Sequence, residues 1–232
     1  MRTVIVNADD FGLSEGVNEG ITRAHEHGIV SSTTLMVHPP FAGAAARYAR
    51  SSPSLAVGLH VDLGEWAFVD GAWESIYRRV DLTDERAVTD EVAAQVTRFT
   101  ELVGRPPTHL DSHQHVHRDD PVRTVVVAVA ERLGVPLRHH TPGIHYEGGF
   151  YGQTETGEPF PDLVSASHLR ALLRGLPDGI TELACHPAAA ADAATAYIDE
   201  RLLELDALCD PSVRATLRDH DIRLANFADL RS

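Results

Sequence analysis

The sequence predicts an α/β protein built on a parallel sheet of about seven strands. Three observations carry this. Val4-Ile5-Val6 is an unbroken apolar run, the pattern of a strand covered by helices on both faces. Strand-like runs then alternate with helical stretches, without any internal repeat, and β-α alternation produces parallel sheets. Finally, acids and histidines recur at the carboxyl ends of several strands, where barrels and doubly wound sheets place their sites. The strand count fits either an open sheet or a barrel, in a single domain over residues 1–232.

Arg2 to Ala8 reads as the first strand and ends in Asn7-Ala8-Asp9-Asp10-Phe11-Gly12. Ser14 is a good N-cap for a helix through about His27, closed by Gly28. Ile29 to Val37 is a second strand, broken by His38-Pro39-Pro40, and Ala42 to Arg50 is a short helix before Pro53. Leu55 to Val61 is a third strand with His60 near its end. Residues 62–82 hold Trp66, Trp73 and Tyr77 without a clear period and read as a loop or lid. Thr83 or Asp84 caps a helix to Val103, stopped by Gly104 and Pro106-Pro107. A histidine-rich strand follows over Thr108 to His117. Pro121 opens a helix over Val122 to Leu133, ended by Gly134, and Val135 to Arg138 is a short fifth strand. Residues 139–164 are Gly-, Pro- and aromatic-rich and read as a second long irregular segment, a class of loop that is usually functional. Ser165 or Ser167 caps a helix to Arg174; Thr181 to Pro187 is a sixth strand with His186 at its end. Helices over about Ala196 to Leu208 and Ser212 to Arg218 precede a seventh strand, Ile222 to Ala225.

Composition excludes several mechanisms. The formal net charge is -14 and no basic run occurs, so a nucleic-acid partner is not expected. All 20 basic residues are Arg. Schiff-base chemistry, a pyridoxal phosphate anchor and a P-loop lysine are therefore ruled out. Cys185 and Cys209 are the two cysteines, too few for a disulfide framework. The chain enters its first strand directly and has no apolar run of spanning length, so neither a membrane nor secretion is expected and the cytoplasm is the default.

Thr108 to His117 concentrates four histidines and Asp111 in ten residues. Strand side chains alternate with a period of two, so an extended segment projects His113, His115 and His117 to one side. Imidazole is the commonest side-chain ligand for zinc and related metals. With Asp9, Asp10, His60 and His186 at neighbouring strand ends, one acid and two histidines complete a metal triad. A spare acid is left as general base and a spare histidine as general acid, which is machinery for hydrolysing an amide or ester. There is no Gly-rich dinucleotide fingerprint and no G-x-S-x-G elbow.

Val6-Asn7-Ala8-Asp9-Asp10-Phe11-Gly12-Leu13-Ser14, Gly28-Ile29-Val30-Ser31-Ser32-Thr33-Thr34, Gly58-Leu59-His60, His109 to His117 and Cys185-His186-Pro187 together resemble the YdjC-like carbohydrate deacetylase family, in order and over nearly the whole chain. The resemblance implies a deformed (β/α) barrel, TIM-barrel-like, holding one divalent metal ion, Mg2+ or Zn2+. It implies Asp10, His60 and His113 as metal ligands, Asp9 as general base and His186 as general acid. It offers His115 and His117 as residues behind the ligands or against substrate, and Arg138 as a substrate contact. The implied partner is an N-acetylated amino sugar or oligosaccharide, and a homodimer is a candidate assembly. Family members commonly carry His-His-His where this chain has His113-Gln114-His115, and residues 139–164 depart from chito-oligosaccharide enzymes. The rival readings are a metal phosphoesterase on a similar barrel and a sugar-binding protein that has lost catalysis.

Overall fold

The computed structural model describes residues 1–231 apart from Glu155, Ala194 and Ala196. Seven parallel strands form one sheet: β1 (Arg2–Phe11), β2 (Ser32–Leu35), β3 (Ala56–Val61), β6 (Leu110–Ser112), β7 (Ile144–Glu147), β8 (Gly179–Cys185) and β9 (Arg223–Ala225). Their order is β6-β3-β2-β1-β8-β7, with β9 beside the first half of β1, at Thr3–Ile5, and β2 beside its second half, from Asn7 onward. Helices α1 (Glu15–Glu26), α2 (Ala42–Ser51), α3 (Glu85–Val103), α4 (Val122–Leu133), α5 (Ala166–Gly175), α6 (Asp199–Cys209) and α7 (Pro211–Asp219) run between the strands. The helix signals act as expected. Ser14, Asp84 and Ser165 accept hydrogen bonds from N–H groups of the first turns of α1, α3 and α5. Gly104 and Gly134 close α3 and α4 at φ +79° and +63°.

The sheet curls into a half-barrel, so that side chains from both of its edges meet inside it: Asp111 on β6 and Glu182 on β8 share the Arg138 guanidinium, which also lies over the ring of Tyr146 on the far edge strand β7. One alternating set, Val4, Val6, Ala8, Val57, Leu59, Leu110 and Leu183, is buried in the core shared with the helices. The other set fills the interior in layers, as a two-residue period requires. Ile5, Ala56, Ala225 and Phe227 form the floor, with Ile144 and Ile180 against them. The His109 ring stacks on Phe227 at 3.8 Å and donates from Nε2 to Asn7 Oδ1 at 2.9 Å. Asp9 and His60 lie beyond Ile5 and Ala56 on the same strands and Asp111 is level with His60, so the polar layer sits over the apolar floor towards the carboxyl-terminal mouth, while Glu182, level with Ile5, joins it through Arg138.

Five expectations change. Residues 62–82 are not an irregular lid: β4 (Gly64–Val69) and β5 (Ala72–Arg78) form an antiparallel hairpin. Its turn, Asp70-Gly71 with φ 50° and 89°, is the chemistry that two-residue hairpins prefer. The fifth strand, Val135 to Arg138, reduces to one bridge between Leu137 and Leu110. Residues 139–164 are not wholly irregular, since Ile144–Glu147 pairs in parallel with β8. The histidine strand stops at Ser112, and Gln114 and His115 turn left-handed at φ 50° and 55°. The helix expected from Ala196 begins at Asp199; Ala196 itself lies outside the described residues. Among the described residues no helix is long and apolar enough to cross a membrane.

Gly58 lets the interior layers close. A Cβ there would lie 2.6 Å from the His109 carbonyl and 2.7 Å from its ring. That carbonyl accepts from Leu59 N–H within the sheet and has little freedom to retreat. Gly58→Ala is expected to destabilise the protein by about 1–3 kcal/mol, the usual cost of overpacking, measured by urea denaturation.

Candidate metal centre and active site

Consecutive residues on a strand face opposite sides, yet Asp9 and Asp10 both turn into the mouth. Asp10 takes φ +66°, a left-handed conformation that Asp tolerates better than most residues. Its carbonyl accepts from Leu13 N–H at 3.0 Å, and Gly12, at φ +97°, completes the turn into α1.

Asp10 Oδ1 lies 3.1 Å from His60 Nε2 and 3.1 Å from His113 Nδ1. All three residues are buried, and their ligand atoms fall within 4.8 Å of one another. The far nitrogen of each ring faces a carboxylate. His60 Nδ1 donates to Asp111 Oδ1 at 2.7 Å, and His113 Nε2 faces Glu65 Oε2 at 3.7 Å. Carboxylates behind histidines fix ring orientation and tautomer, which is how metal-ligating histidines are held. His60 Nε2 is buried without a hydrogen-bond partner and directed at Asp10, a disposition that fits a cation between them. Asp9, His60 and Asp111 also converge, but Arg138 occupies both of those acids. The Asp10, His60, His113 group is therefore the one that could hold a metal.

Burial lowers the basicity of both imidazoles, but neighbouring carboxylates outweigh it. His60 is raised well above the usual histidine value by Asp111 and Asp10, and His113 is raised to about 9 by Asp10. Arg201 on α6 donates to Asp10 Oδ2 at 2.7 Å and leaves Oδ1 to the histidines.

Asp9 makes a two-pronged pair with Arg138, at 2.6 and 2.7 Å. Burial opposes its charge, but Arg138 holds the carboxyl far below the ordinary range. Arg138 also reaches Glu182 at 2.7 Å and Asp111 at 2.9 Å. Arg138 was expected as a substrate contact; here its guanidinium meets three carboxylates, and the residue is not among those that line the cavity. Burial raises Glu182 to about 7 despite Arg138.

His186 stands across from this group at the end of β8. Its Nε2 is 3.7 Å from Asp9 Oδ2 and its Nδ1 is 3.7 Å from Glu204 Oε1. Its backbone N–H donates to Glu204, so the acid orients the residue from behind. The remaining histidines do not share one face, because the left-handed turn rotates each differently. His115 reaches the cavity, with Nε2 3.2 Å from Tyr146 Oη. His117 folds back, between Ser112 Oγ at 2.6 Å and the Arg138 carbonyl at 3.1 Å. Burial, reinforced by Arg138, lowers His115 to about 2 and His117 to about 3.

Asp9, Asp10, His60, His113, His115 and His186 line a cavity of about 590 Å³, with Trp66 and Trp73 from the hairpin and Tyr146 and Tyr151 on its walls. Sequence reading missed Glu65, Arg201 and Glu204. Each is a single charged residue among many, far along the chain from its partner, and only its burial marks it. Asp111 was visible inside the histidine motif, and its role came from His60 Nδ1.

A buried acid and two imidazoles at the mouth of a curled parallel sheet, faced by a second acid and a third histidine, define a candidate metal-dependent hydrolytic centre. The chain belongs to the YdjC-like protein family, whose model matches residues 3–219. It is 34% identical over 270 residues to a chitooligosaccharide deacetylase of Serratia marcescens, covering 99% of each chain. Among solved structures it resembles a protein of Enterococcus faecalis V583, provisionally described as a cellobiose-phosphate cleavage protein, with TM-score 0.78 and 27% identity over 99% of this chain and 98% of that one. A family 4 acetyl xylan esterase from Clostridium thermocellum, solved with a cobalt ion, shares the fold with TM-score 0.58 and 12% identity over 99% and 90%.

Asp111→Ala is expected to weaken zinc binding about 10–100-fold by releasing the His60 ring, read by calorimetric titration of the metal-stripped protein. His113→Ala should abolish that binding, whereas His117→Ala should preserve more of it.

The lowered histidines also set an acid response. Below the ordinary histidine value of 6.5, the unfolded chain takes up protons at His115 and His117 that the folded chain refuses. Unfolding is therefore favoured as pH falls from 6.5 towards about 3. Glu182 opposes this between 4.5 and about 7, where the folded state holds its proton more tightly, but it is one group against His115, His117 and His139, the last lowered by burial to about 4. The urea midpoint should fall with pH across that window, and His117→Gln should flatten the slope.

Proposed function

We propose that this chain is a metal-dependent carbohydrate deacetylase that hydrolyses the N-acetyl group of an amino sugar or short oligosaccharide and releases acetate. One observation carries the reading: Asp9 and His186 stand 3.7 Å apart beside the Asp10, His60, His113 group on the wall of one aromatic-lined cavity. The named activity of the Serratia marcescens relative, matched end to end, supports it. A divalent cation, Zn2+ or Mg2+, held by Asp10, His60 and His113 would supply Lewis-acid activation of water and of the acetamide carbonyl.

The protein groups do the proton work. Asp9 takes the proton from the attacking water. Held ionised by Arg138, it is a weak base and suits only a water that has been strongly acidified. The Arg138 fork also fixes its direction, so little reorganisation is needed. His186 donates a proton to the departing amine, with Glu204 behind it to support the imidazolium. Trp66, Trp73, Tyr146 and Tyr151 offer faces for sugar rings, and His115 lies within reach of substrate polar groups. The metal-capable groups among the described residues share His60, which favours one cation over the several that phosphoesterases usually hold.

Acetate release from a panel of N-acetylated mono- and oligosaccharides should be lost with chelator and restored by zinc or magnesium. Asp9→Asn should lower kcat by about 10²–10⁴-fold while the metal content stays at the wild-type level. Near-full turnover in Asp9→Asn would remove Asp9 as the base.

A further inference from the structure

The hairpin that carries half of the aromatic wall is weakly supported by its own fold. Its outer strand, β5, is exposed along most of its length. Two-stranded hairpins are marginal alone. Asp62 anchors the base, accepting from Tyr77 Oη and Arg79 Nε, each at 2.8 Å. Beyond that base no second strand among the described residues pairs with the inner strand, and the hairpin ladder shifts register between Glu65 and Trp66.

Gln114 meets that edge. Its Oε1 accepts from the Trp66 backbone N–H at 2.9 Å, and its Nε2 donates to the Trp66 carbonyl at 2.7 Å. One primary amide thus satisfies both backbone groups of one residue, as the peptide of a neighbouring strand would. Gln114 itself sits at φ 50°, a conformation that Gln rarely adopts. Its position aims the side chain across the mouth rather than along the chain. On either side of this pair, Glu65 faces His113 at 3.7 Å. The metal-facing turn and the aromatic wall therefore meet residue against residue, 113–114 against 65–66.

We propose that Gln114 is a positioning residue: an amide latch that holds the β4–β5 hairpin, and with it Trp66, against the metal-facing turn and so sets the width of the substrate cleft. The latch acts on substrate capture and not on the proton transfers of Asp9 and His186. Its kinetic consequence rests on the deacetylase reading; its structural consequence does not.

The chain's two tryptophans, Trp66 and Trp73, both belong to the hairpin, which makes their fluorescence a report on it. In a Trp73→Phe background, where Trp66 is the single indole, Gln114→Ala should lower the Trp66 anisotropy and shift its emission to the red, with far-UV circular dichroism unchanged. In the otherwise unaltered chain, Gln114→Ala should raise KM for the best N-acetylated sugar about 10-fold, as loss of two exposed hydrogen bonds allows, with kcat within about two-fold. Gln114→Glu keeps the acceptor but sets an oxygen against the Trp66 carbonyl, and should shift both readouts the same way. Wild-type anisotropy and wild-type KM in both variants would overturn the latch. So would a fall in kcat with Trp66 and KM unmoved, which would mean that Gln114 acts through His113 instead. Absence of acetate release from the wild-type protein would defeat the deacetylase reading alone, and the Trp66 anisotropy would still decide the latch.

Discussion

Arg138 is the contact on which the interior depends. Its guanidinium ties Asp9 on β1, Asp111 on β6 and Glu182 on β8. Buried charges are costly unless paired, and here one cation pairs with acids from the middle and both flanks of the sheet. The curl of the sheet and the placement of the acids are therefore one problem with one solution. The balance is still incomplete. Asp9, Asp10, Asp111 and Glu182 bring four carboxyl groups against the guanidiniums of Arg138 and Arg201, and Glu65 and Glu204 add to the excess. Raised imidazoles at His60 and His113 answer part of that deficit. A divalent cation at the same place would answer it more fully, which is the electrostatic reason the mouth suits a metal.

Adjacent residues are given different work by their surroundings. Asp9 and Asp10 share a sequence context, but the first is clamped by Arg138 and the second by Arg201, on one oxygen only. The clamp on Asp9 uses both oxygens and fixes its aim; the clamp on Asp10 leaves an oxygen to the histidines. A similar division separates His113 from His117. The left-handed turn at Gln114 and His115 sends the former to the metal-facing group and locks the latter into the backbone. Strain at these turns is stored where function needs a side chain aimed, and the surrounding pairs over-determine it.

The wall and the centre are also linked. Glu65 and Trp66 on the hairpin touch His113 and Gln114 on the turn, so aromatic surface and metal-facing nitrogen sit in a fixed relation. A cleft built this way recognises a ring and presents its acyl group to the same small volume.

The strand–helix order, the helix caps and the placing of Asp9, Asp10, His60, a histidine cluster and His186 at strand ends were legible along the chain, because periodicity, capping and strand-end motifs are local signals; the choice of His113 within that cluster came from the family resemblance alone. The hairpin was legible too, in Asp70-Gly71, but the lack of a clear period over residues 62–82 drew the reading towards a loop. What the chain could not disclose was pairing across distance. Arg138 meets Asp9 across 129 positions and Arg201 meets Asp10 across 191, and nothing local marks either arginine among the 20 basic residues. The common face expected of His113, His115 and His117 failed for the opposite reason. It was a local rule, and tertiary contacts at Trp66, Tyr146 and Arg138 overrode the extended backbone it assumed. The sequence by itself determined which side chains could do chemistry and at which end of the sheet. Only the tertiary structure decided which of them face one another, because charge pairing and left-handed turns depend on neighbours that the chain brings together from far apart.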